Sequence, residues 1–322
     1  EKGRILLPAR GDLKVQQFLK DSLPQPVVVY RGERSFAVLS AAGFSHDDGV
    51  LIEIEYELED DDELIIGIRP FNPEGAALIR TMKYSAFGDG SAIIEINGES
   101  EIRAFPSADE TRFSDLASGD AYFTTNTSNS AACPYGISTG ALVYRGRKGR
   151  ASLLCRTFDS RLTEDRKETR KLWFLKGQEE RPPKTVQTKI EKQRLKKKGR
   201  KKLSSLTVEG TSNAGEIEKS AMRWKHRLDS GSSFVCARDV WNRAAKTFAG
   251  HMLALQTGDE VTPGIYTYRQ FWFRDAAYML NALSSWNFRS ETEKVLSTYG
   301  RRQEKDGFFH SHDGEWDSNG QA

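Results

Sequence analysis

The sequence predicts an α+β protein of two domains, an N-terminal antiparallel β-sandwich followed by an all-helical part. Three observations carry this. The chain of 322 residues exceeds one average domain, so two is the natural expectation. Its first half alternates apolar and polar residues with period two, and after about residue 215 that pattern gives way to a helical one. Hydrophobic content of 38% and charged content of 29% describe a globular protein. No apolar run approaches the roughly 20 residues needed to span a bilayer, so no membrane partner is expected.

Residues 1–180 are assigned to the sandwich. Residues 50–59 set its pattern, with Ile52, Ile54, Tyr56 and Leu58 on one face and Glu53, Glu55, Glu57 and Glu59 on the other. Such alternation marks a strand with one buried and one wet face. Asp60-Asp61-Asp62 supplies a turn, and the next strand starts at residues 64–68. Further strands are expected at 77–84, 92–96, 122–125, 141–144, 152–156 and 172–175, punctuated by Gly, Asn, Asp and Ser at hairpin-like spacing. Many short strands with polar turns argue for a sandwich. Arg69-Pro70-Phe71-Asn72-Pro73-Glu74-Gly75 interrupts it with turn chemistry. That loop reads as a strand connection, or as an Arg and an Asn reaching towards a ligand or neighbour.

Residues 181–214 form a basic linker, ending the run Lys196-Lys197-Lys198-Gly199-Arg200-Lys201-Lys202. Such a run can meet phosphates. With no aromatic residues interleaved and no recognition module around it, it reads as solvated chain, and no nucleic-acid partner is expected.

Residues 215–322 form the helical part. Residues 216–228 place Ile217, Ala221, Trp224 and Leu228 on one stripe. A second helix, 239–255, is expected to turn Val240, Ala244, Phe248 and Met252 or Leu255 inward. A third runs from about 274 to 285 and a fourth from 290 to 299. Helices joined without intervening strands indicate an all-α region.

Residues 266–275, Tyr-Thr-Tyr-Arg-Gln-Phe-Trp-Phe-Arg-Asp, hold the chemistry. Aromatic rings, an arginine and an aspartate arrive as the third helix starts. A polar pair before a mostly apolar helix is costly to bury without partners. Flat rings suit sugar C–H faces, and a charged fork suits hydroxyls. An Arg-Asp pair capping a core helix beside packing aromatics accounts for the same residues.

The spacing of Tyr268, Trp272, Arg274 and Asp275 resembles that of the six-hairpin glycosidases, in particular the glucoamylase-type family (glycoside hydrolase family 15-like). The resemblance extends to the strand-rich half with its Arg-Pro-Phe-Asn-Pro-Glu-Gly loop and to the first helices. It implies a β-sandwich, a helical linker and the first part of an (α/α)6 toroid. It also implies an oligosaccharide or polysaccharide substrate and inverting hydrolysis of α-glucosidic bonds, with Arg274 and Asp275 gripping sugar hydroxyls and Trp272 walling the ring. By the same resemblance Trp316 stacks on a sugar face while Asp317 and Gln321 bond hydroxyls. Asp317 or Ser318 as the N-cap of a following helix is the plainer account.

Glycoside hydrolysis needs two carboxyl groups, about 6.5–9.5 Å apart in an inverting enzyme. The family's acid and base are glutamates on later loops. Glu315 is the one nearby candidate, and this chain is read as a fragment that binds without turnover. A related disaccharide phosphorylase, or a non-catalytic carbohydrate-binding protein on the same fold, fits the same residues.

His310 and His312, with Asp313 and Glu315, invite a metal reading, because His-x-His on extended chain puts both rings on one side. No third ligand is fixed by spacing, so loop histidines are expected, with no metal and no cofactor. Three widely spaced cysteines, Cys133, Cys155 and Cys236, lack zinc or redox spacing. They read as free thiols in a reducing, cytoplasmic setting.

Overall fold

The computed structural model describes residues 5–43, 49–72, 75–98, 100–156, 214–264, 268, 270–311, 318–320 and 322. The basic linker with its lysine run, and the strand expected at 172–175, lie outside them.

The first half is built of strands β1 (Lys14–Leu19), β2 (Pro26–Arg31), β3 (Phe36–Gly43), β4 (Gly49–Glu57), β5 (Glu63–Ile68), β6 (Phe71–Asn72) and β7 (Gly75–Ala76). It continues with β8 (Thr81–Ala86), β9 (Ala92–Ile96), β10 (Ser100–Phe105), β11 (Glu110–Ser114), β12 (Ser130–Ala132), β13 (Thr139–Arg145) and β14 (Lys148–Arg156). Nine of these form one antiparallel sheet in the order β1-β2-β3-β4-β14-β10-β9-β8-β12. A second sheet, β11-β13-β5, faces it.

The sequence alternation explains how the two sheets meet. Tyr56, Met82, Tyr84, Ile94 and Leu153 point from the large sheet into a shared core with Phe113, Leu142 and Tyr144 of the small one. Of its three buried tyrosines, Tyr144 and Tyr84 are hydrogen-bonded to the backbone, as buried polar groups generally are. Tyr144 Oη donates to the Pro106 carbonyl at 3.2 Å, and Tyr84 Oη accepts from the Ala108 amide at 2.9 Å. This is the expected sandwich.

Two local expectations, the strand at 122–125 and the wet face at Glu53, are corrected. Residues 122–125 form a turn and loop, not a strand. The Tyr122 ring lies against Gly67, where an added Cβ would come within 2.7 Å of it, and Tyr122 Oη donates to the Ile65 carbonyl. Arg69 pairs with Asp120 at 2.8 Å and covers the Tyr122 ring, so it serves the sandwich itself. Glu53 is not on a wet face. It is only 7% exposed, because the sheet's outer surface there is roofed by helix α1 (Ala214–Asp229), whose Ile217 packs on Ala42 and Leu51. Glu55, Glu57 and Glu59 remain exposed as expected.

Helix α1 is followed by α2 (Asp239–Ala254), a small hairpin β15 (Gln256–Thr257) and β16 (Glu260–Val261), α3 (Phe273–Ser285) and α4 (Arg289–Leu296). The hairpin corrects the expectation of helices without strands between them. In α1 the stripe is as read, with Ile217 and Leu228 buried and Ala221 and Trp224 packed on the core. In α2 the expected face holds only at its C-terminal end, where Met252 and Leu255 pack on the core. Val240, Ala244 and Phe248 are exposed, while Ala249, Gly250 and Leu253 are buried. The reason is close approach: a Cβ on Gly250 would sit 3.0 Å from Pro24. Small residues let α2 lie against the segment between β1 and β2, and that contact overrides the larger apolar stripe. Leu23 from this segment joins the helical core with Phe271, Phe273, Leu280 and Phe288. Gln25 Nε2 donates to the Ile217 carbonyl at 2.9 Å. The sheet and the helices thus pack as one compact body.

Candidate functional site

Helix α3 begins where the sequence places its start. Trp272 is the N-cap residue, extended at φ −129° and ψ 120°, and its side chain does not cap the helix. A helix start leaves backbone N–H groups unsatisfied. Here the Phe273 amide donates to Ser311 Oγ at 3.0 Å in a buried setting. Asp275, in the first turn, also suits the positive end of the helix dipole.

The structure sorts the aromatic run into two groups. Phe271 and Phe273 face the core. Phe273 packs edge-on against Tyr299 at 4.8 Å and Phe309 at 5.6 Å, and the Arg302 guanidinium covers Phe271. Tyr268 and Trp272 form the other group, with ring centroids 5.6 Å apart. The Arg274 guanidinium carbon lies 5.4 Å from the Trp272 ring centre, within cation–π range. Tyr268 is 54% exposed and Arg274 and Asp275 are partly exposed, so this group faces outward. The four residues expected to grip a sugar are therefore neighbours.

The polar pair is only loosely closed. Arg274 Nη2 stands 3.5 Å from Asp275 Oδ2. Among the described residues that oxygen is buried and accepts no hydrogen bond. A sheltered carboxylate oxygen without a donor is costly, and a ligand hydroxyl would relieve the cost.

The wall behind α3 is residues 308–311. Phe309 N–H donates to Asn319 Oδ1 at 2.7 Å, and Ser311 Oγ and Ser318 Oγ lie 3.3 Å apart. Ser318 meets Ser311, and residues 319–320 form a turn. Glu315, Trp316, Asp317, Gln321, His312 and Asp313 lie outside the described residues. Of the residues that invited a metal reading, only His310 is among the described ones, its ring 6.2 Å from that of Phe308. Sequence reading missed Ser311, since nothing local signals a hydroxyl that acts across 38 residues. It also missed Tyr278, one turn beyond Arg274 and highly exposed. The i, i+4 spacing would have found that ring.

A separate open cavity of about 340 Å³ is lined by Arg227, Gln256, Gly258, Ser290, Glu291 and Lys294. It shares no residue with the Tyr268–Asp275 group. Arg227 there is already engaged by Gln256 and Glu291.

No protein family and no curated protein matches the sequence. A bacterial glucoamylase solved in complex with acarbose has a similar structure, with a TM-score of 0.61 at 9% sequence identity. The match covers 93% of this chain and 43% of that one, so the chain spans under half of that structure's length. A family GH92 alpha-mannosidase from Bacteroides thetaiotaomicron aligns with a TM-score of 0.29 at 9% identity, over 77% of this chain and 27% of that one. At such identity the likeness to the glucoamylase is one of fold. It supports a sandwich joined to a helical part.

Proposed function

We propose that this chain carries part of the substrate pocket of a glycoside hydrolase acting on α-glucosidic bonds by inversion, of the glucoamylase or glucodextranase type. In this reading residues 1–180 are the sandwich domain and 181–214 the linker. Residues from 215 onward are the first part of an (α/α)6 toroid. The observation that carries it is the group of Tyr268, Trp272, Arg274 and Asp275 on one helix start, with a buried Asp275 oxygen lacking a donor among the described residues. The similar glucoamylase, solved with the carbohydrate inhibitor acarbose, supports an oligosaccharide ligand.

Each residue has a physical task. Trp272 offers its ring to the apolar face of a glucose unit. Asp275 accepts from a hydroxyl, and Arg274 donates to a hydroxyl oxygen while staying paired with Asp275. In the same reading Trp316 stacks on a sugar face, and Asp317 and Gln321 bond hydroxyls. No general acid or base belongs to this group, and Glu315 is the candidate within the chain. Titration calorimetry with maltotriose, followed by assay of the same mixture for released glucose, tests the reading. Saturable binding without turnover is expected. Turnover would place the acid and base among this chain's own carboxylates, Glu315 first, and absence of binding would refute the proposal. A protein that binds maltotriose with no catalytic counterpart is the alternative. Phosphate-dependent release of a glucose phosphate by the intact protein would instead mark a phosphorylase.

A further inference from the structure

We infer that Ser311, backed by Ser318, is a positioning residue for the Arg274–Asp275 grip. The inference rests on the reading of that pair as a sugar-binding fork. Helix α3 lacks a cap from its own N-cap side chain, since Trp272 occupies the position. Side chains that accept from the first free amides of a helix fix how its first turn begins. Here the acceptor comes from a distant segment: Ser311 Oγ takes the Phe273 N–H at 3.0 Å.

The arrangement is buried and braced. Phe273 and Ser318 are fully buried and Ser311 nearly so. The Ser311 and Ser318 hydroxyls lie 3.3 Å apart, and Asn319 Oδ1 holds the Phe309 amide next to them. Phe309 itself packs edge-on against Phe273. Two strips of chain therefore clamp the amide of the residue immediately before Arg274 and Asp275. Ser311, braced by Ser318, meets the first turn at a backbone amide. Their influence passes through the backbone of the first turn, which sets where the guanidinium and carboxylate point. An ordinary helix cap would support stability alone. A cap beneath a two-residue fork also sets the fork's geometry.

The test is a double-mutant cycle on the 322-residue chain, read by maltotriose titration. Ser311→Ala should weaken binding about threefold to tenfold, the range that loss of one cap implies. Ser311→Thr keeps the hydroxyl and should restore affinity. In an Arg274→Ala background Ser311→Ala should have a smaller effect, because only Asp275 is left to position. Hydrogen exchange at the Phe273 amide should accelerate in Ser311→Ala. If Ser311→Ala does not fold, Ser318→Ala carries the same comparison, with a smaller loss that also shrinks in the Arg274→Ala background. Wild-type affinity in the alanine variant, or an equal loss with and without Arg274, overturns the inference alone. A wild-type chain that binds no maltotriose overturns the sugar-fork reading and the inference with it.

Discussion

Glu53 shows how much one residue's surroundings decide. It sits on β4 between Ser40 of β3 and Ser152 of β14, beneath α1. Its Oε1 is buried and accepts no hydrogen bond among the described residues. Burial pushes its pKa above the ordinary carboxylate value, Arg150 pulls it back, and Glu55 and Glu218 push it further up. A raised folded-state pKa means that the carboxyl favours the fold below the ordinary carboxylate range and loses that contribution as pH rises through the folded value. Glu53→Gln is therefore expected to raise the melting temperature at pH 8, with the gain shrinking towards pH 4. An equal effect at both values would show that the charge of Glu53 is not what matters. The alternation in residues 50–59 made Glu53 look wet. Its cover comes from a helix more than a hundred residues downstream, which no local pattern reports.

At the scale of elements, strands were more legible than helix faces. Residues 92–96 form β9 as expected, since both sides of a short, turn-bounded run are specified locally. Helix α2 was located correctly, but of its expected inward stripe only Met252 and Leu255 meet the core. Its Gly250 lies against Pro24, and close backbone approach is invisible to a hydrophobic stripe. Gly231, after the end of α1, is a second such contact. A Cβ there would lie within 2.6 Å of two atoms of the Phe288 ring, which is itself almost fully buried. Ser232 N–H donates to the Trp286 carbonyl beside it, so the backbone has little freedom to retreat. Gly231→Ala should cost about 1–3 kcal/mol by overpacking, read as a fall in the urea midpoint with unchanged slope. A neutral result would mean that the Phe288 ring moves aside freely.

The whole molecule joins a sandwich to a set of helices through Leu23, Pro24 and Gln25, and the Tyr268–Asp275 group lies at the start of one of those helices. The sequence carried the identities of that group because aromatic rings beside an Arg-Asp pair at a helix start are unusual enough to notice. It did not separate Phe271 and Phe273, which are core, from Trp272, which is not. That separation follows from the turn into α3. The claim that this group grips a sugar meets its most direct test in one titration. Maltotriose is added to the wild-type chain and to Asp275→Asn, with far-UV circular dichroism confirming that both are folded. Removing one charge-assisted hydrogen bond costs roughly 1.5–3 kcal/mol, so binding by the variant should be about tenfold or more weaker. Equal affinity in the two proteins, or none in the wild type, would contradict the assignment of Asp275 as a sugar-hydroxyl acceptor.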